Sequence, residues 1–255
     1  MRVINIYKTN SGFTLIEMAI VMLIIGALIG SAILPLKAQR ESNNIKQARA
    51  ELKTIEQAIY GYAIANARLP CPAQPGSGLE NLTADVCTNN SIGFVPSTTL
   101  GIGGNINCDN LIVDPWGNPY RYSVTESDSN AINGPDFTSP TDIVDIDVAL
   151  LDPDLRVCIN NTCAPASARL TNEAIAVIYS MGKNRNNTAG VDEEQNGGEG
   201  TIASGACIAG DYGVGADNDY VSHLQVEAGA NQFDDIMLWI SENLLYAKLL
   251  SAGQL

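Results

Sequence analysis

The chain has 255 residues, with 14 Lys and Arg against 28 Asp and Glu, 45% hydrophobic residues, six cysteines and one histidine. A formal charge of -14 repels a phosphate backbone, so extensive nucleic-acid contact is not expected, and the length allows one or two domains with a real core. The hydrophobic residues are unevenly spread: a long apolar block lies near the N-terminus, whereas Asn, Asp, Gly, Ser and Thr dominate much of the rest.

Residues 1–12 are short and polar, with Arg2 and Lys8 as their charges. An ordinary secretory signal places its apolar region before the cleavage site, and here that region follows. From Phe13 to Leu36 the chain has one ionisable side chain, Glu17. As a helix this stretch would reach roughly 36 Å, enough for a hydrocarbon core of about 30 Å. Gly26 and Gly30 supply a GxxxG spacing suited to close helix packing, and Pro35 should disturb the helix near its end. Flanking cations do not decide the orientation, since Arg2 and Lys8 face Lys37, Arg40, Lys46 and Arg49. The cysteines favour an oxidising compartment for the downstream part, leaving the leader in the cytoplasm.

A carboxylate inside an apolar helix is costly unless it finds a cation or reaches the interface. Gly12-Phe13-Thr14-Leu15-Ile16-Glu17 followed by the apolar run resembles the processing and assembly signal of type IV prepilins and type II secretion pseudopilins. The resemblance implies cleavage after Gly12 by a prepilin peptidase and N-methylation of Phe13. It also implies pairing of Glu17 with the terminal amine of a neighbouring subunit. The expected partners are other pilin or pseudopilin subunits and inner-membrane assembly machinery. The expected location is the inner membrane, then a periplasmic pseudopilus or a surface pilus.

Residues 37–69 read as an amphipathic stem, with Ile45, Ala48, Leu52, Ile55, Ile59 and Tyr62 at steps of three or four and charges in most other sectors. With the apolar segment it makes a helix of about 56 residues, roughly 84 Å if straight. Pro70 and Pro72 should end it. The expected fold class is α+β, type IV pilin-like: a long N-terminal helix carrying an antiparallel β-sheet head with extended loops over residues 70–255.

In the head, strands are expected at Leu111–Val113, Tyr120–Val124, Ile143–Leu151, Arg156–Ile159, Ala174–Tyr179 and Ile236–Ile240. Asp114-Pro115-Trp116-Gly117-Asn118-Pro119 reads as a turn, with Trp116 and Tyr120 covering the junction of stem and sheet. The same segment resembles the loop-to-strand signature of major pseudopilins. The tract 183–210 reads as a surface loop. Major pseudopilins carry an acidic, glycine-rich loop that can bind calcium, and Asp192, Glu193, Glu194, Asp217 and Asp219 offer hard oxygen ligands for Ca2+. A final helix is expected over Glu242–Leu250, capped by Ser241.

Cys71, Cys87, Cys108, Cys158, Cys163 and Cys207 are expected to form disulfides rather than a metal site, because no paired CxxC knuckles appear. Cys158 and Cys163 suit a compact local bridge; one of Cys71, Cys87 and Cys108 must pair outside its own region if all six are bridged. His223 is expected to pack or face solvent, and no nucleophile elbow, zinc-protease signature or phosphate loop points to an enzyme. The leading expectation is a structural filament subunit. A minor, tip-like adhesive or substrate-binding pilin and a monomeric membrane-anchored periplasmic binding protein are the alternatives.

Overall fold

The structure, a computed structural model, describes residues 12–83, 86–88, 93–129, 134–139, 143, 151–184, 190–197, 207, 218–226 and 231–254, and leaves aside the side chains of 31–35. The expected leader, apart from Gly12, lies outside the described residues, as do Asp217 and strand positions 144–150. The chain divides into two units, Met1–Asn44 and Ile45–Leu255.

Helix α1 runs over Leu15–Asn66, 52 residues. It opens with a reciprocal capping box. Thr14 N donates to Glu17 Oε2 at 2.8 Å, and Glu17 N donates to Thr14 Oγ1 at 3.3 Å. Pro35 costs the helix a backbone hydrogen bond but does not end it. The stop comes at Ala67, which takes a left-handed φ of 53°, three residues before Pro70.

In the first unit the described apolar side chains are bare in the single chain, Phe13 at 84% and Leu15 at 89% exposure. Among the described residues no helix is long and apolar enough to cross a membrane.

In the second unit, β3 (Arg121–Val124), β4 (Leu155–Cys158), β5 (Arg169–Ser180), β6 (Asp219–Val221) and β7 (Ile236–Ser241) form one sheet. β5 is its centre and pairs antiparallel with β3, β4 and β7. The sheet is not wholly antiparallel as expected: β6 runs parallel to β4. A parallel neighbour requires a crossover, and the segment after β5 supplies it through α3 (Val191–Gly197). Residues 111–113 form isolated bridges, Ile106 to Ile112 and Val113 to Pro119, in place of the expected strand. The short helix α2 (Ser97–Leu100), the hairpin of β1 (Leu82–Thr83) and β2 (Val86–Cys87), and the final helix α4 (Glu242–Ser251) complete the named elements. Ser241 precedes α4 but makes no side-chain cap bond.

Both faces of the sheet are covered. On one, Ala48, Leu52, Ile55, Ile59 and Ala63 of α1 share a core with Tyr120, Tyr122, Ile178, Ile240, Leu245 and Leu249. On the other, Phe94, Leu111, Leu155, Val157, Val177, Tyr179 and Tyr220 pack together. Two-sided burial explains why 174–179 reads as an unbroken apolar run rather than an alternating strand.

Tyr62, expected on the buried stripe, is only half-buried, and Ala63 takes the core position. The Tyr62 hydroxyl donates to Glu80 Oε1 at 2.8 Å, while Arg68 clamps the same carboxylate at 2.8 and 3.0 Å and Cys71 N donates to it at 3.1 Å. Burial alone would raise the Glu80 carboxyl, but these bonds outweigh it and hold it below the usual range. Glu80 therefore fastens the stem's end to the loop closed by the Cys71–Cys87 disulfide. Tyr62→Phe, which deletes one donor to a charge, is expected to cost about 1.5 kcal/mol in urea denaturation, with an unchanged m-value.

Candidate functional site

Gly12 and Phe13, the expected processing positions, precede the first turn of α1. The Glu17 carboxylate, besides its bond from Thr14 N, accepts from Thr14 Oγ1 at 2.8 Å. In the single chain it thus closes the helix start as well as carrying the one charge of the apolar run.

The turn at Asp114 is built from its carboxylate. Oδ1 accepts from Trp116 N at 3.0 Å and Asn118 N at 2.9 Å, and Oδ2 accepts from Ser180 Oγ at 2.6 Å. Gly117 supplies the required φ of 92°. Burial raises the Asp114 carboxyl to about 6 against the lowering by these donors. Pro115 and Pro119 flank the turn, and Pro119 is bridged to Val113. Asn118 reaches across to the Gly182 carbonyl at 2.6 Å. Trp116 packs against the core shared with the stem, and the Tyr120 hydroxyl donates to Glu51 of α1 at 2.6 Å. These contacts make the turn a structural junction.

A cluster of acids forms at one end of β5 and β7. The pairing of Ser180 with Ile236 brings Asp234 and Asp235 beside residues 182–184, and α3 adds Glu193. Carboxylate oxygens of Glu193, Asp234 and Asp235 lie within 4.8 Å of one another. Lys183 N and Asn184 N donate to Asp234 Oδ2 at 2.9 and 3.2 Å. Gly182 turns there with φ 61°, and any Cβ at that position would strike Asp234. Asn184 Nδ2 holds Glu193 Oε2 at 3.0 Å, and Asn196 Nδ2 holds Asp235 Oδ2 at 2.8 Å. Buried Oδ1 of Asp234, Oδ1 of Asp235 and Oδ1 of Asn184 make no hydrogen bond among the described residues. Asp235 itself is 5% exposed.

This electrostatic arrangement is unfavourable without a cation. Burial, then the proximity of Asp234, raises the Glu193 carboxyl to about 7. Burial also pushes Asp235 well above the carboxylate range, with Glu193 and Asp234 adding to it and the charge of buried Arg121 opposing it. Orphaned hard oxygens converging in a desolvated pocket fit a Ca2+-class ion, which takes carboxylate and amide oxygens.

Of the four acids singled out in the sequence that are among the described residues, Glu193 joins this cluster and the other three do not. Asp192 accepts from Asn161 N at 2.7 Å and lies 3.4 Å from His223 Nε2. Glu194 is exposed on α3. Asp219 is paired with Arg156 across the β4–β6 pair. Part of the expected surface loop is in fact an inward-facing helix: Asn196 binds Val221 on both its amide and carbonyl sides, at 2.8 and 2.7 Å. His223 stacks on Phe233 with ring centroids 4.0 Å apart.

All six cysteines are bridged: Cys71–Cys87, Cys108–Cys207 and Cys158–Cys163. Cys108 is the member of the first group that pairs at long range. Bridging removes Cys108 and Cys207 as ligands beside Asp109.

Comparison with known proteins follows the same division of the chain. The prokaryotic N-terminal methylation motif matches residues 7–33, and the family described as type II secretion system (T2SS), protein G, matches residues 36–133. Type II secretion system core protein G of Pseudomonas aeruginosa is 30% identical over 121 residues, covering 45% of this chain and 74% of that protein. The Aeromonas hydrophila protein of the same name is 31% identical over 114 residues, covering 45% and 73%. The Escherichia coli one is 31% identical over 114 residues, covering 43% and 68%. No solved structure matches. The acid cluster lies beyond residue 133, outside the family match, whereas the stem and the Asp114 turn lie within it. With a methylation motif at its start and the stem and turn matched throughout, the chain belongs to the type II secretion system protein G family.

Proposed function

We propose that this chain is a structural subunit of a type II secretion pseudopilus, stored in the inner membrane with its head in the periplasm. The observation that carries the reading is the run at 15–30, apolar and exposed in the single chain apart from Glu17. A prepilin peptidase removes residues 1–12, and the remaining 243 residues begin at an N-methylated Phe13. Separate inner-membrane machinery then extracts the subunit, and helix–helix packing replaces lipid contacts. The head stays outside the filament core, held by its disulfides and by a divalent cation at Glu193, Asp234 and Asp235. That set keeps Glu193 of the acids expected from the sequence and adds Asp234 and Asp235. The cation supplies charge neutralisation, and the chain supplies a preformed oxygen cage.

The test is the mature N-terminus. Mass spectrometry of protein recovered from a host with a type II apparatus is expected to find methylated Phe13 as the first residue, and Gly12→Val is expected to leave the leader attached and the chain outside filaments. Mature protein that retains Met1–Gly12 would overturn the reading. The long segment beyond the family match supports a second reading, a minor subunit at low copy, which subunit counting in isolated filaments separates from the first.

A further inference from the structure

The charges of this protein are segregated along the chain. Residues 37–56 carry five basic and three acidic side chains, whereas residues 57–255 carry seven basic and 24 acidic. Within α1, Lys46, Arg49 and Lys53 are spaced by three and four, which puts them on one side of the helix. All three are exposed, while Ala48, Leu52, Ile55 and Ile59 face the core. Lys53 has Glu56 as its neighbour, but Lys46 and Arg49 have no ion pair among the described residues.

A complementary surface lies on the sheet. The register of Ala174 with Ser241 sets Glu173 beside Glu242, and the register of Leu155 with Ala174 brings Asp152 toward the same end of the sheet. Asp152 and Glu173 are exposed, Glu242 is half-buried, and none of the three is paired with a cation among the described residues. They are close enough to disturb one another: burial, then Glu173, then Asp152 raises the Glu242 carboxyl. Leaving three like charges together at one end of the sheet is unfavourable in the single chain, and an arriving cationic face relieves it.

We propose that Lys46, Arg49 and Lys53 on the stem of one subunit dock against Asp152, Glu173 and Glu242 on the head of a second copy. The contact rests on the filament reading above. It gives the head a role in subunit register that is separate from burial of the apolar segment, and it makes assembly sensitive to salt.

The experiment is charge reversal in the full chain, assembled by the type II apparatus and read as the sheared filament fraction. Lys46→Glu with Arg49→Glu is expected to lower that fraction about tenfold, as like-charge contact does at an interface, with the head's melting temperature unchanged. Adding Glu173→Lys and Glu242→Lys to the same chain is expected to restore it. In filaments made from a mixture of isotopically light and heavy subunits, carbodiimide is expected to join Lys46 or Lys53 of one isotope to Glu173 or Glu242 of the other. Wild-type chain that never assembles overturns the filament reading and this contact with it. Wild-type assembly with no loss on stem reversal overturns the contact alone. A loss that acid reversal fails to restore, without the mixed-isotope link, assigns the stem cations to another occupant such as anionic lipid and also overturns it.

Discussion

Glu17→Leu is expected to lower the assembled fraction by roughly a hundredfold or more while the head melts at the wild-type temperature. In a packed bundle of apolar helices, removing one partner of a buried charge pair strands the other, at a cost of about 3–5 kcal/mol. Each 1.4 kcal/mol is about a factor of ten, so the loss reads as two or more decades in pulldown or sheared-filament assays. The leucine variant by itself is ambiguous, because Glu17 also closes the capping box with Thr14. Glu17→Gln resolves this. Glutamine retains the capping function but carries no charge. If pairing with a neighbour's terminal amine matters, the glutamine variant fails nearly as badly as the leucine one. Assembly at wild-type levels with glutamine would reduce Glu17 to a helix cap and remove the charge-pairing mechanism.

The second large effect is expected in the head. A calcium concentration of about 10 mM is some 100-fold above a Kd near 0.1 mM, an ordinary value for extracellular calcium modules, and stabilises by about 2.7 kcal/mol. For a domain of this size the melting temperature rises by roughly 5–10 °C. Asp235→Asn is expected to abolish the rise. Without calcium the variant should melt no lower than wild type at pH 7.5, because the amide fills the same space and removes a repelled carboxylate. Calcium that stabilises Asp235→Asn as much as wild type would exclude this cluster as the site.

The pH dependence has a definite sign. Glu193 and Asp235 have folded-state values above the ordinary carboxylate range, so between the unfolded value and the raised one the folded chain binds more protons than the unfolded chain. Without calcium the Glu193 contribution is therefore fully present below the ordinary carboxylate value and is lost as pH rises through about 7, and the Asp235 contribution runs in the same direction. Calcium needs the deprotonated forms, so its stabilising shift should be large at pH 8 and shrink toward pH 5.5. Glu80 works oppositely: its depressed carboxyl gives stability above the ordinary value that is lost in acid.

Local patterns carried most of the legible information. The stem showed because Ala48, Leu52, Ile55 and Ile59 recur at helical spacing against one core. The Asp114 turn showed because Asp, Pro and Gly each have a distinct backbone role there. The local Cys158–Cys163 bridge spans only five positions. What stayed hidden depends on long-range register. Asp234 and Asp235 stand some 40 residues from Glu193 and meet it only through the β5–β7 pairing and the crossover helix. Their one sequence signal was two adjacent acids directly before an apolar strand. The 191–197 segment looked like solvated loop because its composition is polar, yet Asn196 spends every polar atom of its side chain on β6 and Asp235. The parallel β4–β6 pair was equally unreadable, since strand direction is set by the connection and not by the strand.

The central position of β5 constrains the timing of biogenesis. Its partners are drawn from residues 121–124 upstream and 236–241 downstream, so the middle of the sheet cannot close until residues 236–241 have been made. Until then the emerging polypeptide holds a row of unsatisfied amides and an oily surface meant for the interior. Folding of the head thus includes an interval in which the long-range Cys108–Cys207 bond is open to mispairing, and that interval ends only when β7 has paired with β5.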